Sequence, residues 1–376
     1  MRKKSASSKK RSNRRTETAK RRLAAVLIVL AVVAVIVVFA VFMAKRGEPK
    51  KLKLTELPFA AGSESAYTGR GFYYLSDSTL IYEDLKDSAK DETSKISVAD
   101  VGVVASERTA VLYTLNAIHF VNASKPVEFS DRIIAVKAGK EHFGVLYGDA
   151  RDKSTLAIFD DKAVQIDSVE FSAGVMTDYS FDMSGGEVLW TLETNVNASD
   201  PICMIKTYDM QRHSVSSITT VHDQLVENVF FTDNSMFIVG TDSIIRYNVA
   251  KHNESYRALV YGRKLMDFSA GGERPLFAFS LRSEEKLSTV VLYSLSDDDV
   301  SNVKMTTVQL PGNALGAYTM CGSFVVIMPD GIKCYTGQGI LSREYKFDMP
   351  ITAAEKLTDS ELLLVRDGKA FIAKIG

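Results

Sequence analysis

The chain has 376 residues, 46 basic and 46 acidic side chains, and three cysteines. An odd cysteine count with no CxxC excludes a disulfide framework. Zero net charge excludes a general polycation that would hold nucleic acid along its whole length.

That neutrality is made of two unequal parts. Residues 1–22 carry eleven Lys and Arg against Glu17 alone, about +10, which leaves about −10 on the rest. We read the tail as cytoplasmic and assign it to orientation and attraction to anionic lipid, not to nucleic acid. Residues 23–44 follow as 22 apolar residues without a charge. As a helix the run would extend ~33 Å, enough for a hydrocarbon core of ~30 Å. A cleavable signal peptide is the competing reading. The run is too long for one, and its best small-residue site, Val38-Phe39-Ala40, lies inside it. The expected arrangement is a signal anchor, an integral single span with the C-terminal domain outside. Residues 45–51 form a linker that reaches at most ~25 Å, so the exported domain is expected against the membrane surface. Cys203, Cys321 and Cys334 are expected as free, mostly buried thiols, which suits a bacterial envelope better than a eukaryotic secretory route.

Residues 52–376 read as strands. Apolar runs followed by a polar turn and an alternating strand begin near residues 72, 110, 143, 188, 236, 276, 324 and 362. Eight hairpins at a mean spacing of about 41 residues are the rhythm of a β-propeller. Short apolar segments before most hairpins (101–105, 133–136, 226–231, 265–268, 351–354) predict inner strands. More polar ones after them (126–129, 163–166, 215–218, 255–259, 303–308, 341–347) predict outer edges. Asp330-Gly331 and Asp367-Gly368 predict tight turns with positive φ. The last unit lacks a fourth strand, and residues 51–57 have strand character without a unit of their own. They are expected to close the ring. The fold class is therefore all-β, an eight-bladed propeller (seven if one hairpin is misread) closed by N- and C-terminal strands and preceded by one transmembrane helix. Two packed β-sandwiches are the alternative, and they would need a linker that the sequence does not show.

The rhythm resembles that of quinoprotein-like and WD40-like propellers, without a Trp-Asp dipeptide and with Trp190 as the sole tryptophan. Taken whole, the layout resembles a family of single-pass membrane proteins of unassigned activity, with propeller ectodomains, from Gram-positive anaerobic bacteria. The resemblance rests on layout and carries no catalytic residue across.

No phosphate cradle, nucleophile elbow or metal-ligand histidine spacing occurs, and no cofactor, metal or catalytic residue is expected. Frequent Phe and Tyr at alternating positions, such as Phe230, Phe231, Phe277 and Phe279, are read as packing between blades. Three turns are longer than the others: 148–154, 193–200 and 282–287. They carry Asp149, Arg151, Asp152, Glu193, Asp200, Arg282, Glu284 and Glu285, the candidate partner-binding residues, on what would be one face of the ring. The expected function is non-catalytic binding or scaffolding of a protein or envelope polymer near the membrane. The alternative is a propeller enzyme acting on envelope glycans, or a cofactor-dependent dehydrogenase. A cluster of His, Arg and acids in the channel would favour it.

Overall fold

The computed structural model describes residues 49–375 except 97–100, 151–152, 172–174, 183–186, 196–199, 213, 233–234, 271–273, 285–286 and 296–302. The basic tail and the apolar run lie outside the described residues. Among the described residues no helix is long and apolar enough to cross a membrane.

Eight four-stranded antiparallel meanders follow one another along the chain. Blade I is Ser65–Tyr67, Gly71–Ser76, Thr79–Asp84 and Glu92–Lys95. Blade II is Gly102–Ala105, Ala110–Tyr113, Ala117–Phe120 and Val127–Glu128. Blade III is Ile133–Ala138, His142–Ala150, Lys153–Asp160 and Gln165–Phe171. Blade IV is Val175–Asp182, Val188–Asn195, Ile202–Asp209 and Ser214–His222. Blade V is Val226–Thr232, Ser235–Gly240, Ser243–Asn248 and Asn253–Leu259. Blade VI is Arg263–Ser269, Leu276–Leu281, Thr289–Ser294 and Lys304–Gln309. Blade VII is Gly316–Met320, Ser323–Met328, Gly331–Thr336 and Leu341–Lys346. Blade VIII takes Ala353–Lys356, Glu361–Arg366 and Lys369–Lys374 from the end of the chain and Leu54–Ala60 from its beginning.

The predicted closure is therefore present. Leu54 pairs with Ala373 and Thr55 with Ile372, antiparallel. Chain entry adds a feature that the pattern did not show. Lys50–Lys51 lies parallel to the outer strand of blade VII, Lys50 beside Tyr345 and Lys51 beside Lys346.

First strands of neighbouring blades touch, so they are the inner ring. The core is a ring too. Each of eight apolar clusters joins two successive blades, as where Leu57 and Phe59 of blade VIII meet Phe72 and Tyr74 of blade I. Phe277 and Phe279 are fully buried, and Phe230 stacks on Phe268 across blades V and VI at 4.3 Å. The aromatic residues fill the gaps between blades because flat rings match two opposed sheets.

One turn departs from its expected form. At Asp367-Gly368 both φ values are positive, 51° and 75°, as a two-residue hairpin requires. In blade VII the ladder instead pairs Met328 with Gly331, so the turn is Pro329-Asp330. Proline holds φ negative, which rules out the mirror-image turn. Gly331 already belongs to the strand, where a Cβ would lie 2.2 Å from the Tyr345 carbonyl oxygen. The ladder sets Cys334 opposite Val325. All three cysteines are free; Cys203 and Cys334 are buried and Cys321 is exposed.

Candidate partner-binding face

A four-stranded meander alternates its turns between two ends. The turns joining second to third strands and the connectors between blades share the upper face. Turns joining first to second and third to fourth strands share the lower face.

Two groups of charges at the inner ring are occupied with one another. Lys356 of blade VIII donates to both oxygens of Asp267 in blade VI (2.9 and 3.1 Å), to Phe268 O (3.0 Å) and to Thr319 O of blade VII (2.7 Å). Asp267 also accepts from Thr319 N at 2.8 Å. Nearby, Asp359 accepts from Ser269 Oγ and Cys321 N. One ammonium thus ties three successive blades. On blades III and IV, Lys137 donates to Asp178 at 2.6 Å. His142 Nδ1 lies 2.5 Å from Glu187 Oε2, while Glu187 Oε1 accepts from Glu141 N and His142 N at 3.2 Å. Each group here satisfies a neighbouring blade, which leaves little free for proton transfer. Among the described residues no three His, Cys, Asp or Glu side chains are placed to hold a metal ion.

Neither Cys321 nor Cys334 is activated. Burial, and then the Asp359 charge, pushes the Cys321 thiol up, and burial pushes Cys334 up to about 11. Low thiolate content opposes nucleophilic chemistry.

The acids and arginines expected to form one binding surface are dispersed. Asp149 is exposed in a bulge at the end of its strand, and Asp200 is exposed before Ile202. Arg282 pairs with Glu227, from blade VI to blade V. Glu284 accepts from Ser288 Oγ at 3.0 Å. Arg151, Asp152 and Glu285 lie outside the described residues. Glu193 is a correction. It is not in a loop but in the strand Val188–Asn195, opposite Met204, and is buried with the Lys206 ammonium against it. The ladder runs through residue 193 because Lys206 neutralises the acid inside blade IV. Among the described residues none of these side chains pairs with another of the set.

The upper face carries something that the search for charged loops passed over. Val260 is wholly buried, yet Leu259 and Tyr261 on either side are 76% and 81% exposed. Arg263 N donates to Val260 O at 3.0 Å, and Gly262 has φ 74°. This is a type II turn with Tyr261 at its tip, and glycine takes the position that requires positive φ. Tyr293 Oη donates to Leu259 O at 2.9 Å and fixes the turn from below. Backbone hydrogen bonds run outward from it: Val260 N to Asp242 O, Thr241 N to Leu225 O, and Arg282 N to Gly262 O. They place Leu225 and Leu281, each about 40% exposed, on the same stretch of blades V and VI. The result is a rigid apolar ridge. In sequence it is a leucine and a tyrosine flanking a valine just before a glycine, a pattern that shows the alternation and not the exposure.

The lower face has a cleft of about 450 Å³ between blades VI and VII, lined by Arg274, Ser294, Lys304, Cys321, Thr336 and Gln338 among others. It is open to solvent.

No family model matches the chain, and no curated protein does. Solved structures do. The ring is similar to BamB from Moraxella catarrhalis, with 11% identity over 86% of this chain and all of that one and a TM-score of 0.51. It is similar to the WD40 domain of SCAP from fission yeast, with 8% identity, 86% and 94% coverage and a TM-score of 0.57. The C-terminal WD40 domain of Sif2 gives 10% identity, 88% and 100% coverage and 0.53. The chain has the fold of these propellers. At such identities the likeness extends to the fold alone.

Proposed function

We propose that this protein is a membrane-anchored, extracytoplasmic propeller that acts as a non-catalytic binding or scaffolding module in the bacterial envelope. The Leu259–Tyr261 turn carries the binding half of this reading. A large aromatic and an aliphatic side chain, held out by a turn that folding has already ordered, cost little entropy to bind with. Among the described residues these are the two most exposed large apolar side chains, and they stand together on one ordered turn. The pairing of the inner-ring charges supports the non-catalytic half. The +10 tail, the uncharged run and the −10 remainder support the anchor and its orientation.

Placing a photo-crosslinking residue at Tyr261 in living cells should give one saturable adduct with an envelope protein. The same residue at Glu254, on an outer strand, should not. Leu259→Ser in the same chain should weaken that capture by at least about tenfold. Equal labelling from both positions would overturn the binding face. Protease added to intact protoplasts should remove the ring and spare the tail. A protected ring would overturn the compartment.

A further inference from the structure

The edge by which the chain enters the ring differs in charge from the other blade edges. On the outer strands of blades I to VI, Glu92, Glu128, Asp167, Glu170 and Glu254 stand against Lys95, Arg257 and Lys304. On the rim of blades VII and VIII, Glu56 and Glu344 are outnumbered by bases, and Lys50, Lys51, Lys53, Lys346 and Lys374 are all exposed. The register draws them together. Lys51 pairs with Lys346, and Leu54, next to Lys53, pairs with Ala373, next to Lys374. Leu52 and Leu54 pack into the core between these blades. Alternation then turns Lys51 and Lys53 outward. Only Lys51 is neutralised, by Asp348 at 2.9 Å, on a fully exposed pair. The other four form no ion pair among the described residues.

Position gives this cluster a partner. The apolar run ends at residue 44 and strand pairing begins at Lys50. Five intervening residues reach at most ~20 Å. This rim is thus the part of the ring that the chain holds closest to the end of the apolar run. We infer that the Lys50–Lys53, Lys346 and Lys374 rim docks on anionic lipid headgroups, so that the ring stands on this edge with its two faces turned sideways to the bilayer. The inference rests on the anchor reading above. Opposite charge supplies the attraction over ~8–10 Å at physiological salt, and a tether of at most ~20 Å lets the lysines come within that range. A ring standing on its edge would leave the Leu259–Tyr261 ridge open to a second protein lying along the membrane.

The test uses the full chain in nanodiscs of phosphatidylcholine, alone or with phosphatidylglycerol added. Acetylation of each lysine is followed by mass spectrometry. Lys346 and Lys374 decide the matter, because Lys50–Lys53 lie near the lipid through the tether alone. In the anionic discs their labelling should slow about threefold or more, and high salt should restore it, while Lys125 and Lys251 stay unchanged. Lys346→Glu with Lys374→Glu should abolish the lipid dependence at Lys50, Lys51 and Lys53. Release of the chain by alkaline carbonate would remove the anchor and the docking with it. A retained chain whose Lys346 and Lys374 label equally in both discs would overturn the docking alone and leave these lysines as guards of the sheet edge.

Discussion

Two regions of the ring invert the usual placement of side chains. Around Lys356, charge is drawn inward: an ammonium and a carboxylate, each under 20% exposed, join blades VI, VII and VIII. Around Tyr261, apolar surface is pushed outward on a turn that the fold holds rigid. Buried charge that is fully hydrogen-bonded fixes geometry, because leaving any member unpaired is costly. Exposed apolar surface contributes nothing to the ring and is available to something else. The contrast teaches where to look for function here. Around Lys356 the axis holds blades VI to VIII in register, and the proposed recognition lies on the upper face and the rim.

The comparison is broken most severely by opening the ring itself. A chain that begins at Phe59 lacks Leu52, Leu54 and Leu57, the last of which is only 4% exposed, and leaves the Lys369–Lys374 strand with a bare edge. Burial of a leucine stabilises by roughly 1.5–3 kcal/mol. The loss should therefore exceed about 5 kcal/mol, a large part of the ~5–15 kcal/mol available to a folded domain. Calorimetry should show the Phe59 chain melting far below one that begins at Lys50, or aggregating. Identical melting of the two would remove the closing strand from the fold.

The axial knot comes next. Lys356→Met leaves Asp267 charged in a site that excludes most water and frees the Thr319 and Phe268 carbonyls. The expected cost is roughly 3 kcal/mol, or a melting temperature lower by about 6–10 °C. Adding Asp267→Leu should recover part of it, since the penalty comes from the stranded partner. Glu193→Ala in blade IV follows the same logic through Lys206, at about 2 kcal/mol. A Lys356→Met ring as stable as the parent would mean that the knot is incidental and the axial charges are free for chemistry.

Most of the architecture was legible in the sequence, for a physical reason. The middle hairpin of each blade is buried on both faces by its neighbours, so it reads as an apolar run with a turn, and all eight were visible. Inner strands were legible where they are apolar, as at Ile133–Ala138. They were missed at Val175–Asp182, where Asp178 and Asp182 break the run, and at Gly316–Met320 and Ser65–Tyr67. The candidate site was less legible. Lys356 meets Asp267 across 89 residues of chain, a proximity that only closure creates. Glu193 looked like a loop acid because its neutralising lysine sits on the next strand. The exposure of Leu259 and Tyr261 could not be read at all, since alternation assigns a side but not whether another blade covers it.

The pair between blades III and IV tests charge burial through pH. The Glu187 hydrogen bond raises His142 above its ordinary 6.5, against the opposing effect of burial. Burial pushes Glu187 up, but the hydrogen bond and charge of His142, with two backbone N–H groups, more than offset it and leave it below 4.5. The signs follow. The His142 contribution is fully present below about pH 6.5 and is lost as pH rises through the higher folded value. The Glu187 contribution is present above about 4.5 and is lost as pH falls through the lower one. The pair should stabilise most between these limits. His142→Gln should then cost on the order of 1–2 kcal/mol near pH 5.5 and progressively less in alkaline buffer. A deficit that is flat from pH 5 to 9 would show that the imidazole charge is not involved.

The smallest effects belong to the exposed acids of the upper face. Asp149 and Asp200 have no partner among the described residues, and Glu284 holds only Ser288. Replacing each by alanine should leave stability within about 0.5 kcal/mol of the parent. Leu259→Ser and Tyr261→Ser should be equally silent in a melting experiment, because neither side chain packs on the ring. The two sets separate only when a partner is present. The acids sit singly, in high dielectric, where a rim charge alters association rate more than affinity. The ridge presents apolar side chains on hydrogen-bonded neighbouring turns, where truncation acts on dissociation. Measuring capture of the Tyr261 crosslinking partner by both sets therefore sharpens the comparison: a loss with the ridge variants and near-parent capture with Asp149→Ala, Asp200→Ala and Glu284→Ala. The reverse pattern would move recognition to the charged turns. Loss of turnover of a glycan by any one of these acid variants would replace scaffolding with catalysis.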